Sequence, residues 1–125
     1  MILLASWSQE NLYRWEQAVN SLGPVFCSTN LDSLRAELVL IKPQILMLDY
    51  DLPNLDGVNG LTGLMNLNPE AKVVILGGPF SDETEWALFR TGVRGCCRRE
   101  TEREQLKSVM MAVQQGELWI RRSLS

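Results

Sequence analysis

Asp49, Asp51 and Asp56 bring three carboxylates into eight residues, directly after the apolar run Leu46-Met47-Leu48. A buried strand that ends in a carboxylate, followed by a Pro53-stiffened loop and an Asp56-Gly57 turn, is an arrangement for chemistry. In an open α/β sheet the crevice at the C-terminal ends of central strands is where ligands bind. Asp49 is therefore the leading candidate, with a helix cap or loop carboxylate as the plainer alternative. Asp51 and Asp56 are also good turn and cap residues, so either role suits them. Arg99, at the end of a late apolar run, is the candidate cation or an ordinary solvated charge.

The chain contains no His, which excludes His-based catalysis and His-ligated metals. Gly77-Gly78-Pro79 lacks the spacing of either nucleotide-binding fingerprint, and no Lys-Ser/Thr follows it. There are three cysteines, an odd number with Cys96 and Cys97 adjacent, which fits reduced thiols rather than a disulfide framework. Cys96 and Cys97 read as buried strand thiols; a redox role needs exposure and a lowered thiol pKa.

Five apolar runs and five helical patterns alternate and can position these residues. The strands fall at residues 2–6, 24–28, 44–49, 72–77 and 94–98. The first, third and fourth are almost continuous in Val, Ile, Leu and Met, as in parallel strands covered on both faces. Residues 9–22 place Leu12, Trp15, Val19 and Leu22 on one stripe, stopped by Gly23-Pro24. Residues 31–42 do the same with Leu31, Leu34, Leu38 and Ile41, between Asn30 as cap and Pro43 as terminator. Residues 57–67 give a weaker helix, because Gly57, Gly60 and Gly63 lower its stability. Residues 82–91 give a fourth, capped by Ser81 or Asp82. Residues 102–115 give a fifth, opened by a Thr101-x-x-Glu104 capping box and closed by Gly116. The fold expected is a doubly wound, five-stranded parallel sheet of order 2-1-3-4-5, with helices on both faces and right-handed crossovers. The loops ending at Ser6 and Asp49 then flank one pocket.

At 125 residues the chain is one domain. A net charge of −3 and a pI near 4.9 argue against this segment gripping nucleic acid itself. No apolar run reaches the roughly 18 residues of a membrane span. Met1-Ile2-Leu3-Leu4-Ala5 lacks a basic leader and reads as a first strand, so the expected location is the cytoplasm.

The spacing Asp49, Pro53, Asp56-Gly57 resembles the D-x-x-x-P-x-x-D-G signature of two-component response regulator receiver domains, and the resemblance covers essentially the whole chain. Gly92-Val93-Arg94-Gly95-Cys96-Cys97-Arg98-Arg99 looks like the G-A-R-G-Y-L-L-K segment of receivers that carry a C-terminal LuxR-type helix-turn-helix. Gln115-Gly116-Glu117-Leu118-Trp119-Ile120 looks like their exit into an interdomain linker. The resemblance implies a receiver-like domain over 1–118, a linker beginning at 119–125, and contact with DNA only through a domain outside this chain. It implies that Asp49 is the phosphoacceptor and that the Asp51 carbonyl is a metal ligand. It also implies a sensor histidine kinase or other signalling protein as partner, and homodimerisation through the fourth helix, fifth strand and fifth helix. Candidates on that face are Trp86, Phe89, Arg90, Arg94, Arg98 and Met110.

The pocket departs from the family pattern at three of five positions. The metal-binding acid pair aligns with Ser6-Trp7, the phosphoryl-binding Thr/Ser with Gly77, and the Lys with Arg99. The switch aromatic aligns with Cys96. Mg²⁺ needs hard oxygen ligands, and here only Asp49 and Asp51 are weak candidates. The expectation is a divergent receiver without a bound cofactor, acting by protein contacts, with Asp49 paired to Arg99. The alternatives are a working phosphoacceptor and, in a different class, a flavodoxin-like enzyme binding FMN. The absence of a hydroxyl-rich loop after the first strand counts against the latter.

Overall fold

Apolar runs without polar alternation make strands that are covered on both faces. The computed structural model describes residues 1–121. It shows β1 (Ile2–Ala5), α1 (Gln9–Val19), β2 (Val25–Ser28), α2 (Leu31–Ile41) and β3 (Ile45–Asp49). These are followed by α3 (Gly57–Leu67), β4 (Lys72–Leu76), α4 (Asp82–Thr91), β5 (Gly95–Cys97) and α5 (Arg103–Gln114). All strand pairs are parallel, in the order β2-β1-β3-β4-β5 expected from the sequence. β2 and β5 are the edges.

Strand alternation divides the core in two. Ile2, Leu4, Ile45, Met47, Val74 and Leu76 face α1 and α5, where Trp15, Val109 and Val113 pack on them. Leu3, Ala5, Leu46, Leu48, Val73 and Ile75 face α2, α3 and α4, meeting Leu34, Leu38, Leu61, Leu64 and Leu88. Trp15 is fully buried, and truncating such a residue to Ala typically costs about 3–5 kcal/mol.

Local signals explain most boundaries. Ser8, Asn30 and Ser81 cap α1, α2 and α4 by accepting the amides of Asn11, Ser33 and Thr84. The first helix is shorter than its apolar stripe: regular α structure stops at Val19 and residues Asn20–Leu22 tighten into a 3-10 turn before Gly23. The Thr101–Glu104 capping box does not form. The Thr101 hydroxyl turns back to the Arg98 carbonyl at 2.7 Å, and α5 starts two residues later with Glu102 at its cap position. In α3 the glycines are not merely weak helix formers. A Cβ on Gly60 would fall 1.5 Å from the Leu55 carbonyl oxygen, so the helix lies directly against the loop that follows β3.

The segment after α5 lies along β5. Trp119 donates its backbone N–H to the Arg94 carbonyl at 2.8 Å and forms a parallel bridge with Gly95. Just beyond the boundary expected at 118, the exit segment finds hydrogen-bond partners on the open edge of β5. The rest of the proposed linker, residues 122–125, lies outside the described residues.

Candidate functional site

β3 and β1 run parallel in register, Ala5 beside Leu48, so the residues that follow them, Ser6 and Asp49, emerge together. Both are fully buried. An ionised carboxylate removed from water needs donors, and Asp49 has three. The Ser6 hydroxyl donates to Oδ2 at 2.8 Å. The Asp51 backbone N–H and the Arg99 Nε each donate to Oδ1 at 3.0 Å. Ser6 is itself fixed, since its Oγ accepts the Ser8 amide at 3.1 Å.

Arg99 bridges two acids. Besides Asp49, its Nη2 donates to Asp51 Oδ2 in a close ion pair, so one guanidinium spans a buried and an exposed carboxylate. The planar fork suits this double engagement better than a compact ammonium would. The backbone below it is anchored from α1: the Arg99 carbonyl accepts the Arg14 Nη1 and the Trp15 indole N–H, each at 3.3 Å.

Gly77 stands at the end of β4, its N–H on the Cys97 carbonyl. A Cβ there would lie 3.0 Å from Tyr50 Cβ, 3.1 Å from Phe80 Cζ and 3.2 Å from Arg99 Nη2. The space that a side-chain hydroxyl would need is thus enclosed by an aromatic edge-to-face pair, Tyr50 and Phe80 with centroids 5.0 Å apart, and by the guanidinium itself. Trp7 follows Ser6 but is 56% exposed, and Asp56 takes a left-handed conformation (φ 64°) at the start of α3 without a side-chain capping bond.

The structure therefore brings Ser6, Asp49, Asp51, Gly77 and Arg99 together. The proposed surface set fares differently. Trp86, Arg90 and Arg98 are exposed and Phe89 is half-buried. Met110 is fully buried against the sheet, so it cannot be a surface contact; its position on the inner stripe of α5 decides this. Arg94 is half-buried and its Nη2 donates to the Gly116 carbonyl, closing the end of α5.

Sequence reasoning missed Arg14 and Trp15 as supports for Arg99, and it missed Glu85. Glu85 sits three residues before Leu88 on the inward stripe of α4, and a charged residue on an apolar stripe is a readable signal. Cys96 and Cys97 are half-buried on β5 rather than fully buried, and desolvation pushes both thiols up to about 12, away from the lowered value that a reactive thiol needs. Among the described residues there is no group of three or more Cys, Asp or Glu placed to hold a metal ion.

No family model matches the sequence, and no curated protein is significantly similar to it. Solved structures do match. The RcsB response regulator of Salmonella typhimurium superposes with a TM-score of 0.85 at 15% identity, over 98% of this chain and 66% of that one, so the chain spans just under two thirds of RcsB. A LuxR-family two-component response regulator from Aurantimonas sp. SI85-9A1 gives 0.83 at 13% identity, over 98% and 90% of the two chains. A CheY-like receiver domain protein from Methanospirillum hungatei JF-1 gives 0.82 at 17% identity, over 92% and 93%. The chain has the receiver fold. Within that receiver fold the Asp49 pocket lies at the C-terminal edge of the sheet, where the sequence places it.

Proposed function

We propose that this chain is a receiver-like signalling domain that is not an enzyme and acts through protein–protein contacts, with Asp49 retained as the anion of a structural ion pair. The observation that carries this reading is the Arg99 guanidinium, which joins Asp49 to Asp51 where a receiver would need its oxygens free.

Metal chemistry fits this pocket poorly. Mg²⁺ demands near-octahedral oxygen ligands, usually including one or two carboxylates. The two candidate carboxylates come from one short segment, Asp49 at the end of β3 and Asp51 in the loop after it, and both face a cation. Ser6 contributes a hydroxyl that already donates to Asp49, and Trp7 contributes no charge. Phosphoryl transfer to a carboxylate depends on cations that neutralise charge as it moves. Arg99 could balance part of a phosphate bearing −1.5 to −2 charges, roughly, but only by leaving Asp51 or Asp49.

The partners of this reading are a sensor histidine kinase or another signalling protein and a second copy of the chain. Contact with DNA belongs only to a domain outside this chain, and the compartment is the cytoplasm. The test is incubation with acetyl phosphate or beryllium fluoride at millimolar Mg²⁺, followed by intact-mass measurement. The expected result is no stoichiometric adduct. A base-labile adduct that disappears in Asp49→Ala would replace this reading with that of a working phosphoacceptor.

A further inference from the structure

A cavity of about 360 Å³ lies against β5 between α4 and α5, lined by Phe80, Glu85, Cys96, Thr101, Trp119 and Arg121 among others. β5 is an edge strand, and an open edge presents unpaired N–H and C=O groups to any extended chain. Here the exit segment takes that place through the Trp119 N–H on the Arg94 carbonyl and the Gly95–Trp119 bridge. Gly95 makes the approach possible, because a Cβ there would stand 3.2 Å from the Trp119 Cβ.

In an extended chain alternate side chains share a side, and Trp119 and Arg121 both line the cavity. Arg121 then grips α4. Its Nε meets Glu85 Oε2 at 2.6 Å and its Nη2 meets Asp82 Oδ1 at 2.6 Å. The Glu85 side chain is only 7% exposed. A buried carboxylate on the inward stripe of a helix is costly without a cation, and the Asp49 pocket gives no reason for it. An arginine delivered by an extended segment does.

We propose that the groove between α4 and α5 is a docking site for an extended segment carrying an aromatic residue and, two positions later, an arginine. Its resident occupant is this chain's own Trp119–Arg121, held as a strap by Glu85 and Asp82. The strap closes the β5 edge, and removing its arginine opens the groove.

Native-state amide exchange on the full chain tests the strap. The Trp119 amide is expected to be protected, and Arg121→Gln and Glu85→Gln are each expected to lower that protection on the order of tenfold while Leu46 and Val74 amides stay unchanged. The double variant is expected to lose no more than either single one. An unprotected Trp119 amide in the parent chain, or unchanged protection in both single variants, would overturn the strap. A synthetic peptide matching residues 116–121, added to the Trp119→Ala/Arg121→Gln chain, tests the docking site. It is expected to shift the Gly95, Cys96 and Glu85 amides, and the same peptide with Gln in place of its arginine is not. Equal shifts with both peptides, or none with either, would overturn the docking proposal.

Discussion

Two arginine forks hold this molecule at opposite sides of β5, and each spans one buried and one exposed carboxylate. Arg99 joins Asp49, with no exposure, to Asp51 at 64%; Arg121 joins Glu85 at 7% to Asp82 at 70%. The arginines themselves differ, 22% exposed against 45%. So do the settings. Asp49 also takes a hydroxyl and a backbone N–H, and the Arg99 carbonyl is bonded from α1, so the first fork belongs to the core of the sheet. The second ties an outgoing segment to a helix and is screened by solvent. The same chemistry makes a fixed centre in one place and a releasable fastening in the other.

Arg99→Ala should break the comparison most sharply. Removing one partner of a buried pair costs about 3–5 kcal/mol, and the two donors that remain on Asp49 put the expected loss near 3 kcal/mol. Urea unfolding measures it, with Arg121→Gln alongside. If Arg121→Gln lowers stability as much as Arg99→Ala does, the two forks are equivalent and the distinction fails.

The strand between the forks offers a pH test. Burial holds the Cys96 and Cys97 thiols at about 12 in the folded chain, above the ordinary thiol value of 9.0. Between those values the unfolded chain has released protons that the native one retains, so stability is complete below pH 9 and falls as pH rises. The expected slope is about 1 kcal/mol per pH unit for each thiol. Denaturant midpoints measured at pH 8, 9 and 10 check it, and Cys97→Ala should remove about half of the slope.

Gly77→Ser tests how tightly the first fork is enclosed. The new Cβ meets three neighbours at 3.0–3.2 Å, and crowding of this kind costs about 1–3 kcal/mol. The expected value is the lower figure, since Phe80 and the guanidinium can shift. A stabilising effect would mean that the pocket has room for the missing hydroxyl.

The sequence carried the strand runs and the strand-end placement of Asp49 because these are local patterns, whereas the pairing with Arg99, 50 residues away, came only through the family resemblance. What it concealed depends on relations between distant segments. Met110 counts as surface only if the inner stripe of α5 is misplaced by one position. Arg94 and Trp119 meet across a strand edge that no periodicity marks. Thr101 and Glu104 satisfy a capping pattern, yet the Arg98 carbonyl captures the threonine hydroxyl first. Glu85 was readable as an acid on an apolar stripe, but its partner lies 36 residues away.

The hydrogen bond from the Trp15 indole to the Arg99 carbonyl makes the first fork optically addressable without a label. Trp7, Trp86 and Trp119 are open to a collisional quencher such as iodide, whereas Trp15 is sealed. Emission that survives quenching therefore comes from the one ring bonded to the backbone of Arg99. Any event that displaces that arginine would register as a change in the colour of the unquenched light.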